Sequence, residues 1–380
     1  MPVLNPTRAC IRLRIALLVL LAAACDGSNN QTQPPPSSAS STLPGITEVP
    51  LTIQEADLPD LDPITVAVTS TGHFGYVLPR VERDFVVIVD STGRVSSRWG
   101  RRGEGPGEVR RGYLLAGDSF FVFVGSDPAT VLVFDAQGTL INQRAGSFHE
   151  GFPGAVVGWQ VDRSLGQRIV GLRGVSTDVP GPIVRDCLLD SCEHELLPAS
   201  DSFLREAHVA TPRREGLRWP PYAAEPGRFV IGDGVNYRLW YFDESGRVIG
   251  SLHRDIPRRI QTNRERSMDE STWARLIQDG IAVDVPARRA LAKVEPLPHF
   301  GFASMGFDAD HRLWVVGKSQ DSTFLDVFAD TVFIGRHMVD CIPPARHPVG
   351  IRGRFIVVAC AHDDDIEAPI RFRMFRIEND

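Results

Sequence analysis

From residue 65 onward, short apolar runs alternate with tight-turn signals, and helical periodicity is almost absent. One recurring pattern is a turn followed by an aromatic or aliphatic strand: "STGHFGYVL", "LAGDSFFVFV", "SLGQRIVGL", "EPGRFVIG", "DADHRLWVV" and "IRGRFIVVA". Its first strand residues, Phe74, Phe120, Ile169, Phe229, Leu313 and Phe355, fall 46, 49, 60, 84 and 42 positions apart. A second pattern follows about fifteen residues later: an apolar strand, an aspartate, two residues and a glycine. It reads "FVVIVDSTGRV", "TVLVFDAQGTL" and "RLWYFDESGRVI", with weaker copies in "CLLDSCEHEL" and "FLDVFADTVFIG". Aspartate caps its own backbone and glycine accepts positive φ, so the pair predicts a hairpin turn.

Two hairpins per unit make four antiparallel strands, and six units of this length predict an all-β fold, a six-bladed β-propeller. A sandwich is also rich in strands, but does not repeat the same two turns at this spacing. Closing the ring requires the two chain ends to pair, because an open sheet edge invites aggregation. "ITEVPLTI", 46–53, and "PIRFRMFRI", 369–377, are therefore predicted to share one blade. The 84-residue spacing exposes an insertion at 254–298 between blades four and five. Its segment "RSMDESTWARLIQDG" places Met268, Trp273, Leu276 and Ile277 on one helical face. This short helical insertion is the first candidate for a binding region, with Met268 and Trp273 as its contact residues.

The stretch "RWGRRGEGPGEVRRGY", 98–113, is rich in glycine and arginine. A phosphate loop needs a lysine and a hydroxyl after its last glycine, and "GPGEV" supplies neither. A dinucleotide loop opens a helix, which Pro106 and the strand context deny. Arg101 and Arg102 stay as candidates for an anion contact. Gly100, Gly103, Gly105, Gly107 and Glu108 follow a blade-ending strand in the form G-x-x-G-x-G-x-G-[EQ]. In this the sequence resembles the NHL family of propellers and the related six-bladed propellers of bacterial envelope lipoproteins. The resemblance spans most of blades one and two. It implies the fold and says little about activity.

The first 24 residues carry Arg8, Arg12 and Arg14, then "IALLVLLAAA", with no acidic residue. This is a secretory leader, too short in its apolar run to span a bilayer. "LAAAC" resembles a lipobox, which makes Cys25 the lipidated residue, although Ala22 and Ala24 also suit ordinary signal peptidase; both readings cut before Cys25. Residues 25–44 include the polar tract "DGSNNQTQPPPSSASSTLP", which cannot build a core and reads as a disordered tether. The propeller is then expected over 45–380. Losing the three leader arginines takes the net charge from −6 to −9, which argues against nucleic acid as a partner.

Four cysteines remain in the exported chain, Cys187, Cys192, Cys341 and Cys360, an even number that suggests disulfides. The spacing suits a hairpin bridge for Cys187 and Cys192 and a loop of about twenty residues for the other two. No CxxC or HxxxH accompanies them, so a thiolate metal site is not the reading. "AHDDDIE", His362 to Glu367, lacks the spacing and glycine of a calcium loop. "ASMG" around Ser304 is not a nucleophile elbow. His73, His253, His299 and His311 sit near strand ends, where a satisfied structural role is expected. No catalytic set emerges and no cofactor is predicted.

The sequence thus predicts a membrane-anchored envelope lipoprotein, monomeric, whose propeller binds a protein, peptide or glycan. The alternative is a metal-dependent hydrolase or lyase, since lactonases and related enzymes resemble this chain in fold. Those hold calcium or zinc with ligands from different blades, scattered in sequence.

Overall fold

The computed structural model describes residues 42–54, 65–78, 86–100, 111–145, 221–257, 299–319, 322–342, 348–361 and 368–378 apart from single or paired positions, with strand backbone inside 161–197 and isolated positions elsewhere. The described strands form six four-stranded antiparallel sheets, numbered here in chain order.

Sheet 1 runs β2 (Thr65–Val68), β3 (Phe74–Val77), β4 (Val86–Val89) and β5 (Val95–Trp99). Sheet 2 holds β6 (Arg111–Ala116), β7 (Phe120–Asp127), β8 (Ala129–Asp135) and β9 (Leu140–Ala145). Sheet 3 holds β10 (Val161–Asp162), β11 (Arg168–Arg173), β12 (Ile183–Leu188) and β13 (Ser191–Leu197). Sheet 4 holds β14 (Tyr222–Glu225), β15 (Arg228–Asp233), β16 (Arg238–Asp243) and β17 (Val248–His253). Sheet 5 holds β18 (Met305–Phe307), β19 (Leu313–Lys318), β20 (Thr323–Ala329) and β21 (Val332–Val339). Sheet 6 takes β22 (Val349–Arg352), β23 (Phe355–Cys360) and β24 (Arg371–Ile377), and its fourth strand is β1 (Ile46–Val49) from the other end of the chain. Phe74, Phe120, Ile169, Phe229, Leu313 and Phe355 all lie on the second strand of their sheets, as their spacing predicts.

The third-to-fourth-strand hairpins show why Asp-x-x-Gly recurs. Asp90 Oδ1 accepts from the backbone N–H of Thr92 (2.8 Å) and Arg94 (3.0 Å), and Gly93 follows with φ 90°. Asp135 does the same for Gln137 and Thr139, with Gly138 at φ 84°. Asp243 likewise accepts from Arg247 N (3.0 Å), and in all three hairpins the register shifts just before the aspartate, between Ile88 and Val89, Val133 and Phe134, and Tyr241 and Phe242. The turn therefore carries a bulge that increases the local twist. In sheet 5 the non-glycine residues His311 and Asp330 take positive φ at the two turns, which polar side chains tolerate better than branched ones.

Second and third strands such as "VVIV" are buried on both faces, whereas the outermost strands alternate. Their pattern is that of sheets stacked face to face with a solvated outer edge. Innermost strands meet in succession, β14 with β18, β18 with β22, β22 with β2 and β2 with β6. They pack closely enough to need glycine. A Cβ on Gly306 would stand 2.6 Å from Ile351 Cβ, and one on Gly350 would stand 3.0 Å from the Val68 amide nitrogen. Sheets 4, 5, 6, 1 and 2 thus follow one another as the blades of a β-propeller do.

The terminal strands pair as expected: β1 lies antiparallel to β24, Ile46 opposite Ile377 and Val49 opposite Met374. Arg373 ties the pair with Nε to Glu48 (2.8 Å). Alternating strand direction gives the propeller two rims. The hairpin rim carries the first-to-second and third-to-fourth turns, and neighbouring sheets join there through Ser70 N to Asp118 O (3.1 Å) and Ala309 N to Gly353 O (2.8 Å). The crossover rim carries the second-to-third turns and the links between sheets. There the disulfide Cys341–Cys360, Cα to Cα 5.3 Å, joins sheet 5 to sheet 6.

Candidate functional site

A buried polar cluster lies between sheets 4 and 5 toward the crossover rim, where residues 254–298 leave and rejoin the scaffold. Asp326, in the middle of β20, is fully buried. Its carboxylate accepts from the Tyr237 hydroxyl, from Arg254 Nη1, and from Arg336 Nε (2.6 Å) and Nη2 (2.9 Å). Both guanidinium groups also stack: Arg336 over Phe324 at 3.9 Å and Arg254 over Phe333 at 3.7 Å. A carboxylate with charged partners on several sides survives burial because the ion pairs replace its hydration. Burial and the neighbouring Asp326 charge hold the Tyr237 phenol well above its usual range, so it stays a donor. Burial works against the charge of Arg336, but its hydrogen bonds and charge pairing with Asp326 outweigh that and raise its pKa.

The sequence places Tyr237 in the turn Asp233–Tyr237, with φ 49°. Asp233 shapes that turn by accepting from Val235 N (2.9 Å) and Asn236 Nδ2 (2.6 Å). Both stems of the insertion anchor there. Arg254 N donates to Tyr237 O (3.1 Å), and His299 N donates to Gly234 O (2.8 Å). Lys318 N in turn donates to His299 O (2.6 Å).

His299 is 7 % exposed, and its Nε2 has no hydrogen-bond partner among the described residues. The Pro257 carbonyl takes the other ring nitrogen's hydrogen, which leaves the Nε2 lone pair as an acceptor. Burial, then the charges of Arg259 and Arg336, push the His299 pKa down to about 4. A neutral imidazole with so low a pKa is poorly matched to proton transfer near neutrality, but well suited to accept a hydrogen bond. The geometry therefore offers a cation-rich seam next to the 254–298 segment, with one acceptor unpartnered among the described residues.

The sequence-predicted candidates divide. Cys341 and Cys360 form the disulfide. Cys187 falls on β12 and Cys192 on β13, but their side chains lie outside the described residues, as do Cys25, Arg101, Arg102, Met268, Trp273 and the 362–367 acidic run. Helical backbone is described at Asn263, Arg266 and Ser267, with Arg266 N donating to Thr262 O (3.1 Å). His73 and His311 have the structural partners expected, Thr71 and Glu225. His299 departs from that expectation. Tyr237, Arg254, Asp326 and Arg336 were missed; the available signal was a lone acid inside the apolar run "TFLDVFA" of a central strand. Among the described residues, no three of His, Cys, Asp and Glu gather as a metal site requires.

No protein-family model matches the sequence, and no curated protein matches it. Solved structures do. A Bacteroides fragilis protein whose name marks it as exported superposes with TM-score 0.50 at 9 % identity, over 88 % of this chain and 95 % of that one. Regucalcin from Agrobacterium tumefaciens, a calcium-binding protein, is similar at TM-score 0.44 and 13 % identity, over 87 % and 96 %. The β-propeller domain of Cps50 from Myceliophteria thermophila is similar at TM-score 0.40 and 10 % identity, over 82 % and 96 %. Likeness at these identities concerns the fold alone.

Proposed function

We propose that the chain is an exported, envelope-anchored propeller that binds a protein, peptide or glycan through its crossover rim. In this reading residues 1–24 are a leader, Cys25 carries the lipid, and 25–44 are the tether. The six sheets are then six blades of one closed ring over 45–380, of the NHL-like type. The observation that supports binding is the anchoring of both insertion stems on one turn, Asp233–Tyr237, stapled beneath by Asp326. A long excursion on a rigid base is a common way for a scaffold to present a recognition surface. His299 Nε2 adds one buried acceptor at the base, suited to an N–H or O–H of a ligand.

The alternative is a metal-dependent hydrolase or lyase of the propeller type. Elemental analysis of the mature chain after dialysis without chelator separates the two. Binding predicts no stoichiometric calcium or zinc and no hydrolysis of lactones or esters. About one equivalent of metal, lost with EDTA together with lactone turnover, overturns it.

A further inference from the structure

We infer that the hairpin rim of the propeller rests on the lipid surface to which the chain is tethered, leaving the crossover rim and its insertion facing away. This rests on the anchored reading above and adds the face that meets the membrane.

Eight large apolar side chains among the described residues are more than a third exposed. Five of them stand at the start of outermost strands, directly after the third-to-fourth-strand turn: Leu140 and Ile141 on β9, Val248 and Ile249 on β17, and Val332 on β21; two others, Ile260 beyond the end of β17 and Met338 near the end of β21, lie toward the crossover rim. Ile141, Ile249 and Val332 are 62 %, 52 % and 64 % exposed. Three sheets thus carry water-exposed aliphatic groups at one topological position, and strand alternation puts that position on one rim in each.

The remaining side chain is Leu43, just before β1. Because Ile46 pairs with Ile377 at the end of β24, β1 starts where the other sheets have their third-to-fourth-strand turn. Leu43 fills that place against Gly335 of β21, and His337 Nε2 donates to Pro44 O (2.8 Å). The chain therefore joins the propeller on the hairpin rim, at a fixed point. The stretch between Cys25 and that point is about eighteen residues, a coil reach of roughly 25 Å. A lipid at Cys25 holds this rim, not the opposite one, within reach of the bilayer. Scattered exposed aliphatics are ordinary on a soluble surface, but aliphatics at one topological position in three sheets, on the rim from which the tether leaves, fit an interfacial contact. The acyl chains then supply retention and the rim supplies orientation.

The first test is hydrogen–deuterium exchange on the lipidated full-length protein in phosphatidylethanolamine/phosphatidylglycerol nanodiscs, compared with the unlipidated chain from residue 26 in buffer. Peptides over 138–142, 246–250 and 330–334 should gain protection, while 254–260 should not. Unchanged exchange at the three hairpins, or protection at 254–260 instead, overturns the inference. The second test co-sediments the unlipidated chain with vesicles of the same lipids. The variant Ile141→Ser/Ile249→Ser/Val332→Ser should bind on the order of tenfold more weakly. Equal binding by both overturns it, as does a dimer in sedimentation velocity that the same substitutions disperse. Mass spectrometry of the N-terminal peptide judges the anchor separately: an unacylated Cys25 removes the tethering premise while the vesicle comparison still decides whether the rim meets lipid.

Discussion

Tyr237 and Asp326, 89 residues apart and in neighbouring sheets, share a buried hydrogen bond in which the phenol donates to the carboxylate. Tyr237 belongs to the turn that anchors the insertion, and Asp326 to the central strand that also receives Arg254 and Arg336. Replacing Asp326 with Ala leaves two guanidinium groups without their counter-charge. They are 19 % and 30 % exposed and can partly rehydrate, so the expected loss is about 2–3 kcal/mol, at the lower end for broken buried pairs. Tyr237→Phe removes one donor and should cost about 1 kcal/mol. Urea unfolding of the two variants and their combination should show strong coupling; additive losses would mean that the residues do not act together.

His299 predicts a pH dependence with a definite sign. The unfolded imidazole takes up its proton below about 6.5, whereas the folded one resists until about 4. More protons bind the unfolded state in that window, so stability is full above 6.5 and falls as the pH drops toward 4. The difference between wild type and His299→Gln should isolate this slope, because both share the same carboxylates. A difference curve flat from pH 4 to 7 would contradict the burial of a neutral histidine.

The repeat was legible in sequence because each hairpin needs a self-capping aspartate and a residue tolerant of positive φ, and such chemistry is local. Gly93, Gly138 and Gly246 advertise it. Where sheet 5 uses His311 for the same conformation, Asp308 still caps the turn through Asp310 N and Arg312 N (2.9 Å each), but no glycine marks it. The seam was not legible, because Asp326 and Tyr237 meet only through the stacking of two sheets. In sequence, Asp326 shows only as a lone acid in the apolar run "TFLDVFA", and nothing local tells which three side chains will surround it. The low pKa of His299 was not legible for the same reason: its desolvation and its cationic neighbours come from elements far along the chain.

The Cys341–Cys360 bridge closes 19 residues of sequence and links sheet 5 to sheet 6. The chain-entropy account gives about 3 kcal/mol for such a loop. Cys341→Ser/Cys360→Ser should lower the thermal midpoint by several degrees, and a reductant should then have less further effect on the variant than on the wild type. An unchanged midpoint in the variant would place its stabilisation near zero.

Truncation separates the tether from the closing strand. A chain beginning at residue 42 keeps β1 and should retain the wild-type midpoint. One beginning at residue 54 lacks β1, exposes the edge of β24 and loses the Glu48–Arg373 contact. An unpaired edge next to the buried Phe375 and Met374 should associate with other copies. Light scattering on the two truncations checks this, and a monodisperse second truncation would show that β24 closes without its partner.

Glycine at the innermost strands makes the strongest local demand. At Gly350 an added methyl meets backbone, the Val68 nitrogen at 3.0 Å and the Ala67 carbonyl carbon at 3.1 Å, which cannot swing aside as a side chain can. At Gly306 it meets Ile351 Cβ at 2.6 Å, close to the neighbouring main chain. Overpacking of this kind typically costs about 1–3 kcal/mol. Gly350→Ala and Gly306→Ala should each fall in that range by chemical denaturation. Gly227→Ala is a useful contrast: open space surrounds its added methyl, and only the φ of 82° resists it. If both inner-strand variants were as stable as the wild type, the sheets would not meet as tightly at the centre as Gly306 and Gly350 require.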